Sequence, residues 1–177
     1  GALYRLTALS VLRSDIKIDN NAQIASLASR LDCKFTDNKI FLAGEDVSDA
    51  IRTEEVGIMA SKVAALAEVR KALISLQTGF RKAPGLVGDG RDMGTVIFPD
   101  AVLKVFLTAS ADVRAQRRYK QLMEKGIPAN IDSLRNDLIE RDLRDTQRKE
   151  SPLVPAKDAL TLDTSHLGID ETVKRIL

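Results

Sequence analysis

Gly85-Leu86-Val87-Gly88-Asp89-Gly90-Arg91-Asp92-Met93-Gly94 sets a short apolar run against a polar, glycine-rich loop, with Pro84 closing the helical stretch before it. The run Leu86 to Gly88 reads as a strand and the loop as its carboxyl end. A second apolar run, Val102 to Leu107, leads into Thr108-Ala109-Ser110-Ala111-Asp112, an opening for a helix that continues to about Lys125. Strand, loop, strand, helix is the order of an α/β protein whose mostly parallel sheet is covered on both faces and whose site lies beyond the strand ends. The glycines have phosphate-loop spacing, but Arg91 and Asp92 stand where that loop requires Lys and then Ser or Thr. Gly88-x-Gly90 also lacks the third glycine of a dinucleotide fingerprint. Asp89 instead reads as a carboxylate at a strand tip, placed to approach Mg²⁺ in a phosphate-transfer site, with Arg91 and Asp92 facing a ligand. The alternative is a turn in which Asp and Gly satisfy only backbone groups.

Upstream, Gly1 to Leu12 reads as a helix already in progress, with no capping residue ahead of it, and the reading expects a further segment before Gly1. Asp19-Asn20-Asn21 caps a second helix, Ala22 to Leu31. Lys34-Phe35-Thr36 and Ile40-Phe41-Leu42 then form a hairpin across Asp37-Asn38-Lys39, followed by a turn at Gly44-Glu45-Asp46 and an extended Val47-Ser48. Such a sheet is too small to stand alone and belongs to a larger lobe. From Glu54 to Phe80 the sequence is helical. Downstream, Gly126-Ile127-Pro128 breaks the third-quarter helix, Asn130 or Asp132 opens another to about Lys149, and Ser151-Pro152-Leu153-Val154-Pro155 is a linker. Ala159 to Leu162 reads as a strand and Ile169 to Leu177 as a closing helix.

The 177 residues carry 44% hydrophobic and 29% charged residues, enough for one buried core. A net charge of +2, from 27 basic and 25 acidic residues, argues against nucleic acid as the main partner, and the 4% aromatic content leaves few stacking platforms for an RNA-binding module. A single cysteine, Cys33, excludes an internal disulfide and suits a cytoplasmic protein. No apolar run is long enough to span a bilayer, so no membrane association is expected.

Two arginine groups stand out beside the central loop. Arg141, Asp145 and Arg148 are spaced i, i+4, i+7, one helical face with two guanidiniums and a carboxylate. Paired arginines bind phosphate bidentately, and the carboxylate between them can hold them or accept a sugar hydroxyl; the bland alternative is a solvated face of ion pairs. Arg114, Arg117 and Arg118 lie near the start of a helix, where positive charge opposes the helix dipole. Such groups with a strand-end carboxylate suit phosphoryl transfer, whose catalysis is positioning and charge neutralisation. The lone histidine, His166, has no catalytic neighbour in sequence and reads as a surface or capping residue.

Gly1-Ala2-Leu3-Tyr4-Arg5, Gly44-Glu45-Asp46-Val47-Ser48 with Ile51-Arg52-Thr53-Glu54, Asp89 to Pro99, Arg141-Asp142 with Asp145, and Pro152-Leu153-Val154-Pro155-Ala156 together resemble bacterial cytidylate kinases from end to end. The resemblance implies a P-loop nucleoside monophosphate kinase fold: a five-stranded parallel sheet flanked by helices, a monophosphate lobe with a small antiparallel sheet, and a lid. Residues 1–20 and 81–177 would be the core, with the lid at about 112–130, and residues 21–80 the CMP-binding lobe. Transfer of the γ-phosphoryl group of ATP to CMP or dCMP, with Mg²⁺ on the phosphates, by a monomer, is the implied activity. By the same resemblance Ser61, Arg70 and Asp92 read cytosine, Arg5, Arg91 and Arg148 hold the CMP phosphate, Arg141 and Asp145 contact phosphate and ribose, and Arg114, Arg117 and Arg118 belong to the lid. Arg70 follows Ser61 by nine positions, which puts them half a turn out of phase on one straight helix, so a break is expected around Ala65 to Glu68. The family's first strand, its Gly-Lys-Gly-Thr loop and the following helix have no counterpart in these residues, which leaves a truncated, catalytically inactive nucleotide-binding remnant as the alternative reading and an incomplete sheet as its structural consequence.

Overall fold

Why the first helix is buried on nearly every side follows from its sequence, in which Leu3, Tyr4, Leu6, Thr7, Ala8, Leu9 and Val11 are all covered. The computed structural model describes residues 1–36 and 39–177. Helix α1 (Ala2–Leu12) contains a threonine that would be costly to bury unpaired; its Oγ1 donates to the carbonyl of Leu3 at 2.9 Å. Helix α2 (Asn21–Ser29) starts where Asn20 accepts from the backbone N–H of Gln23, the cap expected from the Asp19-Asn20-Asn21 signal.

A three-stranded antiparallel sheet follows, β1 (Cys33–Thr36), β2 (Lys39–Leu42) and β3 (Glu45–Asp46). Asp37 and Asn38 of the expected first turn lie outside the described residues. The second turn falls one residue earlier than the sequence signals indicated: Leu42 pairs with Glu45, and the two residues between them, Ala43 and Gly44, both have positive φ, at 48° and 81°. A two-residue connection with left-handed backbone at both positions matches the twist of the strands it joins.

Helices α3 (Glu54–Val63) and α4 (Ala67–Gly79) are separate, so the break expected between Ser61 and Arg70 is present at Ala64 to Leu66. Thr53 caps α3 by accepting from Val56 N–H. The chain divides into two compact units, residues 1–93 with 148–152, and residues 94–147 with 153–177. The first unit packs α1 against α3 and α2 against α4, with Leu6, Ile24, Val47, Val63, Val69 and Leu73 fully enclosed.

The stretch Leu86 to Gly88 is not a strand. It is exposed, Val87 completely so, and no described strand pairs with it, so Asp89 is an exposed loop residue rather than a strand tip. Gly90 has another reason to be glycine: a Cβ there would lie 2.8 Å from Met93 Cγ, over which this loop closes, whereas a Cβ on Gly88 would meet only the terminal Met93 Cε, which can move aside. Met93–Ile97 continues as one wide, π-type turn.

In the second unit, strand β4 begins at Val105, later than expected, and runs to Thr108, pairing in parallel with β5 (Leu160–Asp163). Helix α5 (Ala111–Glu124) follows β4 through the cap Ser110, and ends where Gly126, at φ 69°, lets its own N–H and that of Ile127 return to the carbonyls of Met123 and Leu122. Helix α6 (Ile131–Gln147) packs on α5, and α7 (Ile169–Ile176) closes the chain. The architecture is mixed α/β, with a two-stranded parallel sheet and a small antiparallel sheet among the described residues.

Candidate nucleotide site

The break between α3 and α4 turns Arg70 inward. The residue is 7% exposed and each nitrogen of its guanidinium is held by a different piece of chain: Nη2 donates to Asp92 Oδ2, Nη1 to the carbonyl of Ala64 at 3.1 Å, and Nε to Ser151 Oγ at 3.2 Å. Asp92 is 4% exposed, so the ion pair is fully desolvated. Ala64 belongs to the interruption that the spacing of Ser61 and Arg70 called for, which means the break both places the arginine and binds it.

Below the guanidinium lies Tyr4, its ring centroid 5.5 Å from Arg70 Cζ, a cation–π contact inside the same unit. The Tyr4 hydroxyl is buried without a hydrogen-bond partner among the described residues. Burial pushes its ionisation above the usual value, with Arg70 pulling it down, Asp92 pushing it up and Arg148 pulling it down in decreasing order. Arg148 closes this side: its Nε donates to the carbonyl of Ser151 at 2.8 Å. Arg148 lies just past the end of α6 and groups with residues 1–93, so the helical face expected from Arg141, Asp145 and Arg148 is divided between the two units.

The remaining expected residues fall as follows. Ser61 is 6% exposed on the inner face of α3. Arg5 donates to the carbonyl of Ile51 at 2.6 Å, and its guanidinium lies where a Cβ on Gly57 would be 3.4 Å away. Arg91 is half-buried in the loop beside Asp92. In the second unit, Asp145 is buried on α6 with Arg141 Nε 3.9 Å from its carboxylate. Arg114 is bound to Asp142 through both terminal nitrogens and to the carbonyl of Ala109 through Nε, and Arg117 donates to the carbonyls of Thr164 and Leu167. Arg114 ties α5 to α6, Arg117 ties it to the end of β5, and Arg118 is half-buried beside them. The helix dipole is also answered at close range by Asp112 in the first turn.

Tyr4 and Ser151 are the residues that sequence reasoning missed. Tyr4 adjoins Arg5 in the opening motif, which is signal enough to ask where an aromatic beside an arginine expected to bind phosphate would go. Nothing in Ser151-Pro152 announces that a serine will reach back to an arginine 81 positions earlier.

An inward guanidinium paired to an inward carboxylate presents donors and an acceptor together, the combination that a pyrimidine edge with one amino group and ring acceptors would match. A family profile described as cytidylate kinase matches residues 1–177. The chain belongs to the cytidylate kinase family. The cytidylate kinase of Cupriavidus necator is 56% identical over 177 residues, all of this chain and 80% of that protein. Those of Bordetella bronchiseptica and Burkholderia mallei are 54% and 56% identical, again over the whole chain and over 79% and 78% of their own lengths. No described helix is long and apolar enough to cross a membrane.

Proposed function

We propose that the protein is a cytidylate kinase, a phosphotransferase that moves the γ-phosphoryl group of ATP to CMP or dCMP by direct in-line transfer, giving ADP and CDP or dCDP. The observation that carries this reading is the buried Arg70–Asp92 pair, with Ser61 on the neighbouring helix, in a chain of the cytidylate kinase family. Cytosine supplies an amino donor for Asp92 and ring acceptors for Arg70 and Ser61, whereas uracil would bring a carbonyl against the carboxylate.

Arg5, Arg91 and Arg148 then hold the acceptor phosphate, and Arg141 and Asp145 take phosphate and ribose. Arg114, Arg117 and Arg118, in a lid at about residues 112–130, neutralise charge on the donor phosphates as they develop it. The lobes divide as core (1–20 and 81–177) and CMP-binding lobe (21–80), and β4 with β5 supplies two strands of a five-stranded parallel sheet. No group of three or more metal-ligating side chains occurs among the described residues, which suits an ion that arrives on the triphosphate instead of one caged by protein. Asp89, exposed in the loop, is the carboxylate that would meet it. The chemistry that Mg²⁺ would supply there is positive charge against the phosphates. The enzyme acts as a monomer, and supplies no covalent intermediate.

The test is a coupled assay for ADP release from ATP with CMP, dCMP, UMP and AMP as acceptors, alongside equilibrium binding of CMP. Turnover confined to the cytidine nucleotides is expected. Equal turnover of UMP would remove the assignment of Arg70 and Asp92 to the base, and absence of both turnover and CMP binding would remove the function.

A further inference from the structure

We propose that Ser151 is a positioning residue of the nucleotide site, which fixes Arg70 relative to Arg148 and so sharpens the choice of base. The inference rests on the assignment of these arginines to CMP. Ser151 has φ of 47°, a left-handed conformation that a non-glycine residue adopts only when its surroundings impose it, and the following Pro152 disfavours the helical alternative as well. Two hydrogen bonds account for that imposition. The hydroxyl accepts from Arg70 Nε at 3.2 Å, and the carbonyl of the same residue accepts from Arg148 Nε at 2.8 Å. One residue therefore clasps two guanidiniums, one 81 positions away in sequence and assigned to the base, the other three positions away and assigned to the phosphate.

Glycine or asparagine would occupy this backbone more easily, so a serine here is explained by its hydroxyl. Arg70 needs it because a guanidinium is a planar fork: Asp92 and Ala64 fix the two terminal nitrogens, and the bond at Nε stops the plane from pivoting about them. A pivot would turn the donors away from the ring acceptors of cytosine. The Arg148 arm depends on a backbone carbonyl and survives any side-chain change at this position.

Ser151→Gly removes the hydroxyl and relaxes the backbone; Ser151→Asn keeps an acceptor in a residue that tolerates the left-handed region. On the full chain, Ser151→Gly is expected to melt no lower than the wild type, yet to bind CMP about tenfold more weakly, the loss of one hydrogen bond to a charged group. The preference for CMP over UMP narrows in that variant, while the ratio of CMP to cytidine affinity, which reports the phosphate arm, stays unchanged. Ser151→Asn restores part of both lost quantities. If the wild type binds CMP and Ser151→Gly binds it equally with the same CMP to UMP ratio, the inference is overturned and the site stands. A fall in melting temperature that accompanies uniform weakening toward CMP, UMP and cytidine would make Ser151 a folding residue and overturn it too. A wild type that binds no CMP removes the site itself, and the role of Ser151 with it.

Discussion

Take away the carboxylate of Asp92 and Arg70 keeps its charge in a place with almost no water. Asp92→Asn is therefore expected to cost about 3 to 5 kcal/mol of stability, the penalty of a buried charge that has lost its partner, read from chemical denaturation. It should also abolish the preference for CMP. The double variant Arg70→Met with Asp92→Leu separates the two effects, because an apolar pair of similar volume restores stability while leaving binding absent. Recovery of CMP binding in that variant would show that the pair is structural only. Sequence reading selected both residues, from a helix position and a loop position, but could not see that they touch: contact across 22 residues is set by packing, not by any local pattern. The same limit hid Ser151, whose role is set by its φ and by an arginine on another element.

At the scale of elements, β3 is the clearest case of a short strand fixed by side chains. Ser48 donates its hydroxyl to Asp46 Oδ1 at 2.5 Å and also accepts from the N–H of Ile40 at 2.9 Å, which fastens the strand end to β2. The Asp46 carboxyl is held down from 3.8 to about 2, first by the Ser48 hydroxyl, then by the Ser48 N–H and Lys39. Its folded value lies below its unfolded one, so its stabilising effect is present above pH 3.8 and is lost as pH falls toward 2. Replacing Ser48 by Ala should return the Asp46 midpoint toward 3.8 in an NMR titration; a midpoint that does not move would assign the shift elsewhere. Helix ends were legible because they are local: Asn20, Ser110 and Gly126 cap where their types and neighbours indicate. The apolar run at Leu86 to Gly88 was misleading because a strand needs a partner, and apolar residues flanked by glycine fit a loop folded over Met93 equally well.

For the molecule as a whole, the first unit holds most of the enclosed apolar side chains, and Leu6 sits at their centre with no exposed surface. Leu6→Ala is expected to destabilise by about 2 to 5 kcal/mol in a denaturation experiment, the range for a leucine whose cavity cannot collapse. A loss below about 1 kcal/mol would mean that α1 can shift to fill the space. The parallel pairing of β4 and β5 was readable from alternating apolar runs and helices. The chain contains no tryptophan and two tyrosines, Tyr4 and Tyr119. One of the two lies directly under the guanidinium assigned to the base, so light absorbed by the unlabelled protein is emitted in part from inside the site. A nucleotide that enters beside Arg70 changes the charge and polarity around that ring, and the protein's own fluorescence becomes a titration of its substrate, with Tyr4→Phe as the blank.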